Sequence, residues 1–255
     1  MTVFSVAFSC GLIGAILVSI EAGYRIGLRR RARVPKFLQR VPPTLEGSVF
    51  GLMGLLIAFT FYGAGSRFDI RRNLIAQEAN AIGTAYLRLD VLPPETQPKL
   101  REDFRKYVRS RLDVYRQIPD TKAVNAALDR SSALQRNVWK EAVEALKGSG
   151  TAEKALVLGS LNEMIDITTT RTVALTTHVP GVVLGMLALT VVASSVLAGY
   201  TMSAYETRDW ACIIAYALVV GAVVYAILDY EYPRAGFVRI DPVDQVLART
   251  LEQMN

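Results

Sequence analysis

The sequence predicts an all-α membrane protein: four transmembrane helices, with a large helical extramembrane region between the second and third spans. Three observations carry that prediction. Charge stands in blocks, so that Met1–Ile20, Gly47–Ser66, Thr172–Tyr205 and Trp210–Leu228 hold no Asp, Glu, Lys or Arg. Each window has the length of about 20 apolar residues that a hydrocarbon core requires. Outside them the chain is heavily charged and repeats its apolar residues at three- and four-residue steps, with no period-two strand pattern.

The totals narrow the field further. Of 255 residues 51% are hydrophobic, enough to offset ordering entropy and exclude a disordered chain. Two cysteines exclude a disulfide scaffold, and a single histidine, His178, argues against a zinc enzyme or a His-based hydrolase.

Taken in order, the first window lacks a basic leader and an A-x-A cleavage site, so it reads as a retained helix and not a signal peptide. Arg25, Arg29, Arg30, Arg31, Arg33, Lys36 and Arg40 follow, with no acidic residue before Glu46. Such a loop suits anionic lipid and marks a cytoplasmic face, which places the N-terminus outside. Arg67, Arg71 and Arg72 flank the second span at its other end and pull against that orientation. Phe37 is the lone aromatic of the basic run, and a nucleic-acid partner is not expected.

The second span begins after Pro42–Pro43 with Thr44 as N-cap and continues to Pro93–Pro94, a helix of about 45 residues or ~70 Å. Leu74, Ala81, Ala85 and Leu89 mark the apolar side of its second half. Amphipathic helices follow at Lys99–Gln117 and Thr121–Leu146, the latter stopped by Gly148-Ser149-Gly150. Another starts near Thr151 and heads for the third span, where Pro180 permits a kink. Met202–Asp209 forms a hairpin into the fourth span. The organisation is therefore 1–66 (two spans and the basic loop), 67–171 (extramembrane helices), 172–229 (two spans) and 230–255 (tail).

No phosphate loop, dinucleotide fingerprint or nucleophile elbow is present, so neither an enzyme nor a cofactor is expected. Chemistry points instead to the second span. Gly47, Gly51, Gly54, Gly63, Ala64 and Gly65 are small enough for close helix approach. Gly51, Leu55 and Phe59 lie on one row, and copies from identical subunits would form an apolar constriction that gates ions by dewetting. Arg67 and Arg71, four apart just beyond it, would attract anions, although snorkelling anchors explain the same arginines.

The run FTFYGAGSRFDIRRNLIAQEANAIGTAYLRLDVLPP (Phe59–Pro94), with Glu78–Arg88 its most specific part, and the tail DYEYPRAGFVRI resemble the bacterial bestrophin-like family. More distantly they resemble bestrophins, pentameric four-span anion channels with some cation-selective bacterial relatives. The resemblance implies a homo-pentameric, anion-permeable channel in a bacterial inner membrane, with lipid and small inorganic ions as partners. It makes Gly51, Leu55 and Phe59 the pore neck, with Gly51 where a bulky residue is expected, and pairs Arg67 with Phe68. The calcium clasp of bestrophins resembles an acidic run; here only Asp229, Glu231, Asp241 and Asp244 are available as candidate cation ligands, and a metal is not expected. Bestrophins also place their helical domain in the cytoplasm, opposite to the orientation implied by the basic loop. Two other readings stand beside the channel: a proton-driven stator-like subunit and a non-conducting signalling or scaffold protein.

Overall fold

The computed structural model describes residues 2–33, 42–117, 120–204, 208–234 and 236–254. Among these the chain is helical without a strand: α1 (Thr2–Arg31), α2 (Pro43–Leu87), α3 (Gln97–Arg116), α4 (Thr121–Ala145), α5 (Thr151–Thr176), α6 (Gly181–Met202), α7 (Trp210–Glu231) and α8 (Asp241–Glu252), with a 3-10 turn at Arg88–Val91. Four helical stretches are long and apolar enough to cross a membrane. Lys36, Phe37 and Arg40 of the basic loop lie outside the described residues.

The chain forms two compact units, residues 1–68 with 178–238, and 69–177 with 239–255. Residues 230–238 thus belong to the first unit and 239–255 to the second. Helix α2 is one continuous 45-residue helix and contributes to both. It begins one residue before the expected cap: the Pro42 carbonyl accepts the Leu45 and Glu46 N–H groups, and Pro43 fills a first-turn position that needs no donor. Thr44 is therefore inside the helix.

In the first unit α1, α6 and α7 bury Leu12, Ile16, Ile20, Leu187, Val191, Ile213, Val220, Val224 and Ile227. Helices α1 and α6 meet backbone to backbone. A Cβ at Gly23 would strike the Val196 carbonyl, and one at Gly199 the Ile20 carbonyl. These are the small residues that bring spans together, where apolar contact gives no advantage over lipid and close packing must supply the attraction. The glycines singled out in the sequence behave differently. A Cβ added at Gly47, Gly51, Gly54 or Gly65 would meet nothing within 4 Å, because α2 turns its small face away from its own chain.

Pro180 ends a helix instead of kinking one. Helix α5 stops at Thr176 and α6 starts at Gly181 with Pro180 as its N-cap, at φ −55°, ψ 134°. Proline also disfavours helical geometry at the residue before it, so Val179 cannot carry the helix through.

The second unit packs the end of α2 (Ile82, Ala85) and Leu89 of the 3-10 turn with α3 (Leu100, Phe104, Tyr107, Val108), α4 (Val138, Ala142), α5 (Val157, Leu161, Met164) and Leu247 of α8. Inside this core sits a charged cluster. Fully buried Glu78 accepts from Arg111 Nε at 2.5 Å, from Arg171 Nη1 and from the Tyr115 hydroxyl at 3.3 Å. Arg171 also lies over the Tyr115 ring, 3.6 Å from its centroid, and reaches Asp244 at 3.0 Å. Beside the cluster, burial pushes the Tyr107 hydroxyl up to about 12, so it stays protonated, 2.9 Å from Thr168 Oγ1.

Breaking one partner out of a buried ion pair leaves uncompensated charge and costs about 3–5 kcal/mol. Glu78→Gln strands Arg111 and much of Arg171, so the expected outcome is a loss of that order. Thermal unfolding in detergent checks it: an unshifted transition would show that Glu78 does not organise this core.

Candidate pore-lining site

Helix α2 is the span least covered by its own chain. Between Gly47 and Ser66 only Met53, Thr60 and Ala64 are buried, and these fall on one side of the helix. At about 100° per residue the exposed positions sweep about half the circumference. Gly51, Leu55 and Phe59 are all exposed, Leu55 at 50% and Phe59 at 64%, with Leu52 and Tyr62 alongside. The three neck candidates thus share an apolar row that their own chain leaves open. On the covered side Met53 takes Ser194 Oγ on its sulfur at 3.0 Å, and Phe50 meets Tyr216 edge-on.

The two arginines part company. Arg67 stands eight residues beyond Phe59, a rotation of about 80° toward the covered side. Its Nε donates to Glu231 Oε2 at 3.0 Å. The Glu231 side chain is only 3% exposed and that of Arg67 26%. The same carboxylate accepts the Val179 N–H at 3.0 Å and lies 3.2 Å from His178 Nδ1. The His178 ring leans on Tyr232 with centroids 4.9 Å apart. Phe61 and Phe68 both meet the Tyr230 ring, at 5.6 and 5.4 Å, so an aromatic pair flanks the ion pair between α2 and α7.

Arg71 is buried, and its guanidinium donates to the Ala174 carbonyl at 3.0 Å and the Thr177 carbonyl at 2.7 Å. It satisfies carbonyls at the end of α5 that have no helical donor, where a positive charge also complements the helix dipole. That use accounts for a positive charge at this position without any ion nearby.

Three of the four tail carboxylates have partners of their own. Asp229 accepts the Phe237 and Val238 N–H groups at 3.1 and 2.8 Å, pinning the loop after α7. Gly236 makes this approach feasible, since a Cβ there would overlap the Asp229 carboxylate. Glu231 holds Arg67, Asp244 holds Arg171 in the other unit, and the Asp241 side chain lies outside the described residues. Among the described residues no three His, Cys, Asp or Glu side chains cluster as metal ligands.

Sequence reasoning missed Glu231 as the partner of Arg67, His178 beside it, and the carbonyl-binding role of Arg71. The one available signal was the pair of acids, Asp229 and Glu231, closing an otherwise uncharged span.

Comparison with known proteins agrees with this architecture. Residues 24–245 match the family model of the Bestrophin-like domain. The chain therefore belongs to the bestrophin-like family, and it is a membrane protein with an all-helical fold. A search of curated proteins finds no match. Among solved structures it is similar to point mutants of a bacterial bestrophin homologue from Klebsiella pneumoniae. One shows 15% identity and TM-score 0.65, covering 94% of this chain and 99% of that one. Another shows 14% identity and TM-score 0.68, with coverages of 96% and 97%. A mutant described only as a membrane protein gives 16% identity and TM-score 0.66 over 95% and 98%.

Because Arg71 feeds two carbonyls from a buried charge, Arg71→Met is expected to cost about 1.5–3 kcal/mol, the range for a hydrogen bond to a charged group. The check is detergent thermal unfolding combined with limited proteolysis near Thr177. An unchanged midpoint and cleavage pattern would contradict the assigned role.

Proposed function

We propose that the chain is a homo-oligomeric, anion-permeable ion channel of a bacterial inner membrane, assembled as a pentamer around its α2 helices, with Gly51, Leu55 and Phe59 as the neck. The observation that carries the reading is the free apolar row on α2, half the circumference of a membrane span left uncovered by its own chain. Small residues on that side, Gly47, Gly51 and Gly54, suit approach by another copy. Membership of the bestrophin-like family and the fold shared with bestrophin homologues support it.

In this reading Leu55 and Phe59 form two apolar layers that expel water when the pore is narrow, and ions do not cross a dry segment. Gly51 adds no bulk, so the neck is two layers deep. Arg67 is the first charged residue of α2 beyond the neck and supplies positive potential to passing anions.

Planar-bilayer recording of the purified protein tests the proposal. Wild type is expected to pass current, and Phe59→Ala and Leu55→Ala to raise unitary conductance roughly several-fold by wetting the neck. No current from any of the three over a range of salts and voltages sinks the channel reading. A detergent-solubilised monomer would do the same.

A further inference from the structure

We propose that Glu231 is a selectivity-determining residue of the conduction path, which it tunes by neutralising and withdrawing Arg67; the inference rests on the channel reading above. From Gly47 to Ser66 α2 carries no Asp, Glu, Lys or Arg, so Arg67 is the first fixed charge on this helix past the apolar neck. In a symmetric assembly it recurs once per subunit as a ring. What such a ring offers an ion depends on the charge standing beside each guanidinium.

Glu231 stands there at hydrogen-bonding distance, Oε2 to Arg67 Nε 3.0 Å, on the last residue of α7. The pair is asymmetric, with the guanidinium partly open and the carboxylate almost wholly enclosed. An approaching ion therefore meets the positive end first, with the opposite charge close behind it. The ring keeps an anion preference, but a weakened one. Position matters as well as charge. Arg67 leaves the helix on the side of Thr60 and is drawn toward α7, off the row of Leu55 and Phe59. The guanidinium folds back over Gly63, one turn earlier, where a Cβ would stand in ordinary van der Waals contact with Nη1 at 3.4 Å.

The carboxylate is itself held. The Val179 N–H, from the break before α6, binds Oε1 at 3.0 Å, and His178 Nδ1 lies 3.2 Å from the same atom. A carboxylate fixed from a second side cannot follow Arg67 into the path, so neutralisation is built into the resting geometry.

The test is the reversal potential under a sodium chloride gradient, recorded in planar bilayers for wild type, Glu231→Gln, Arg67→Gln and the double variant. Glu231→Gln keeps the shape of the side chain and removes its charge, and is expected to raise the chloride-to-sodium permeability ratio about tenfold, the low end for focusing by one sign of charge. Arg67→Gln removes the positive charge and keeps the carboxylate, and is expected to move the ratio toward sodium. The double variant should return close to wild type, because both charges are gone. Conducting Glu231→Gln channels with the wild-type ratio overturn the inference while leaving the channel reading intact. A silent wild type removes both. Should Glu231→Gln fail to assemble, the double variant compared with Arg67→Gln decides: a ratio moved back toward chloride upholds the inference, and an equal ratio overturns it.

Discussion

One carboxylate organises the part of the first unit where charge is scarce. Glu231 closes α7, and from there it binds the side chain of Arg67 on α2 and the backbone of Val179 before α6. Three segments far apart in sequence converge on two oxygen atoms. A buried carboxylate without such partners would be costly, and α7, otherwise free of charge from Trp210 to Leu228, has little reason to end on Glu except to collect them. The aromatic contacts of Phe61 and Phe68 on Tyr230 stand around the same junction and limit its exposure to water. The register of α2 against α7 follows from this arrangement, and with it the direction in which Leu55 and Phe59 face.

The two units solve the problem of cohesion by different physics. In the first, surrounded by lipid, hydrophobicity does not favour helix contact over lipid contact, so the spans rely on close approach at Gly23 and Gly199. In the second, water makes apolar burial favourable, and an extensive core of Leu, Val, Phe and Tyr forms. That core still encloses Glu78 with Arg111 and Arg171. Replacing a buried ion cluster with apolar groups is often neutral or stabilising. Its presence therefore speaks less for stability than for specifying which faces of α2, α3 and α5 meet.

Periodicity and charge blocks were strong enough to reveal the spans, the long α2 and the approximate limits of α3 to α5, because bilayer thickness and amphipathic burial leave large signals. Gly51, Leu55 and Phe59 could be placed on one row from their spacing alone. Four things stayed hidden for identifiable reasons. Helix α8 is short, and its buried Leu247 and the nearby buried Met254 look unremarkable in a tail containing two prolines. Pro180 signals disturbance without saying whether the helix bends or stops; here it stops, and Arg71 binds the freed carbonyls. The partnership of Arg67 with Glu231 spans 164 positions, and no local pattern encodes a contact of that range. Asp244 is opaque for the same reason, since its partner Arg171 lies 73 positions away.

The contact between α1 and α6 has a consequence for biosynthesis. Arg31 of α1 binds Ser203 at the end of α6, 172 residues later in the chain. At ordinary translation rates the ribosome needs roughly ten to thirty seconds to supply that distance. Helix α1 therefore waits in the bilayer, without its principal neighbour, while most of the second unit is being made. Its contact face is suited to waiting: Leu12, Ile16 and Ile20 are at home among acyl chains, and Gly23 exposes nothing that lipid would reject. A more polar docking surface would sit less easily in lipid during that interval.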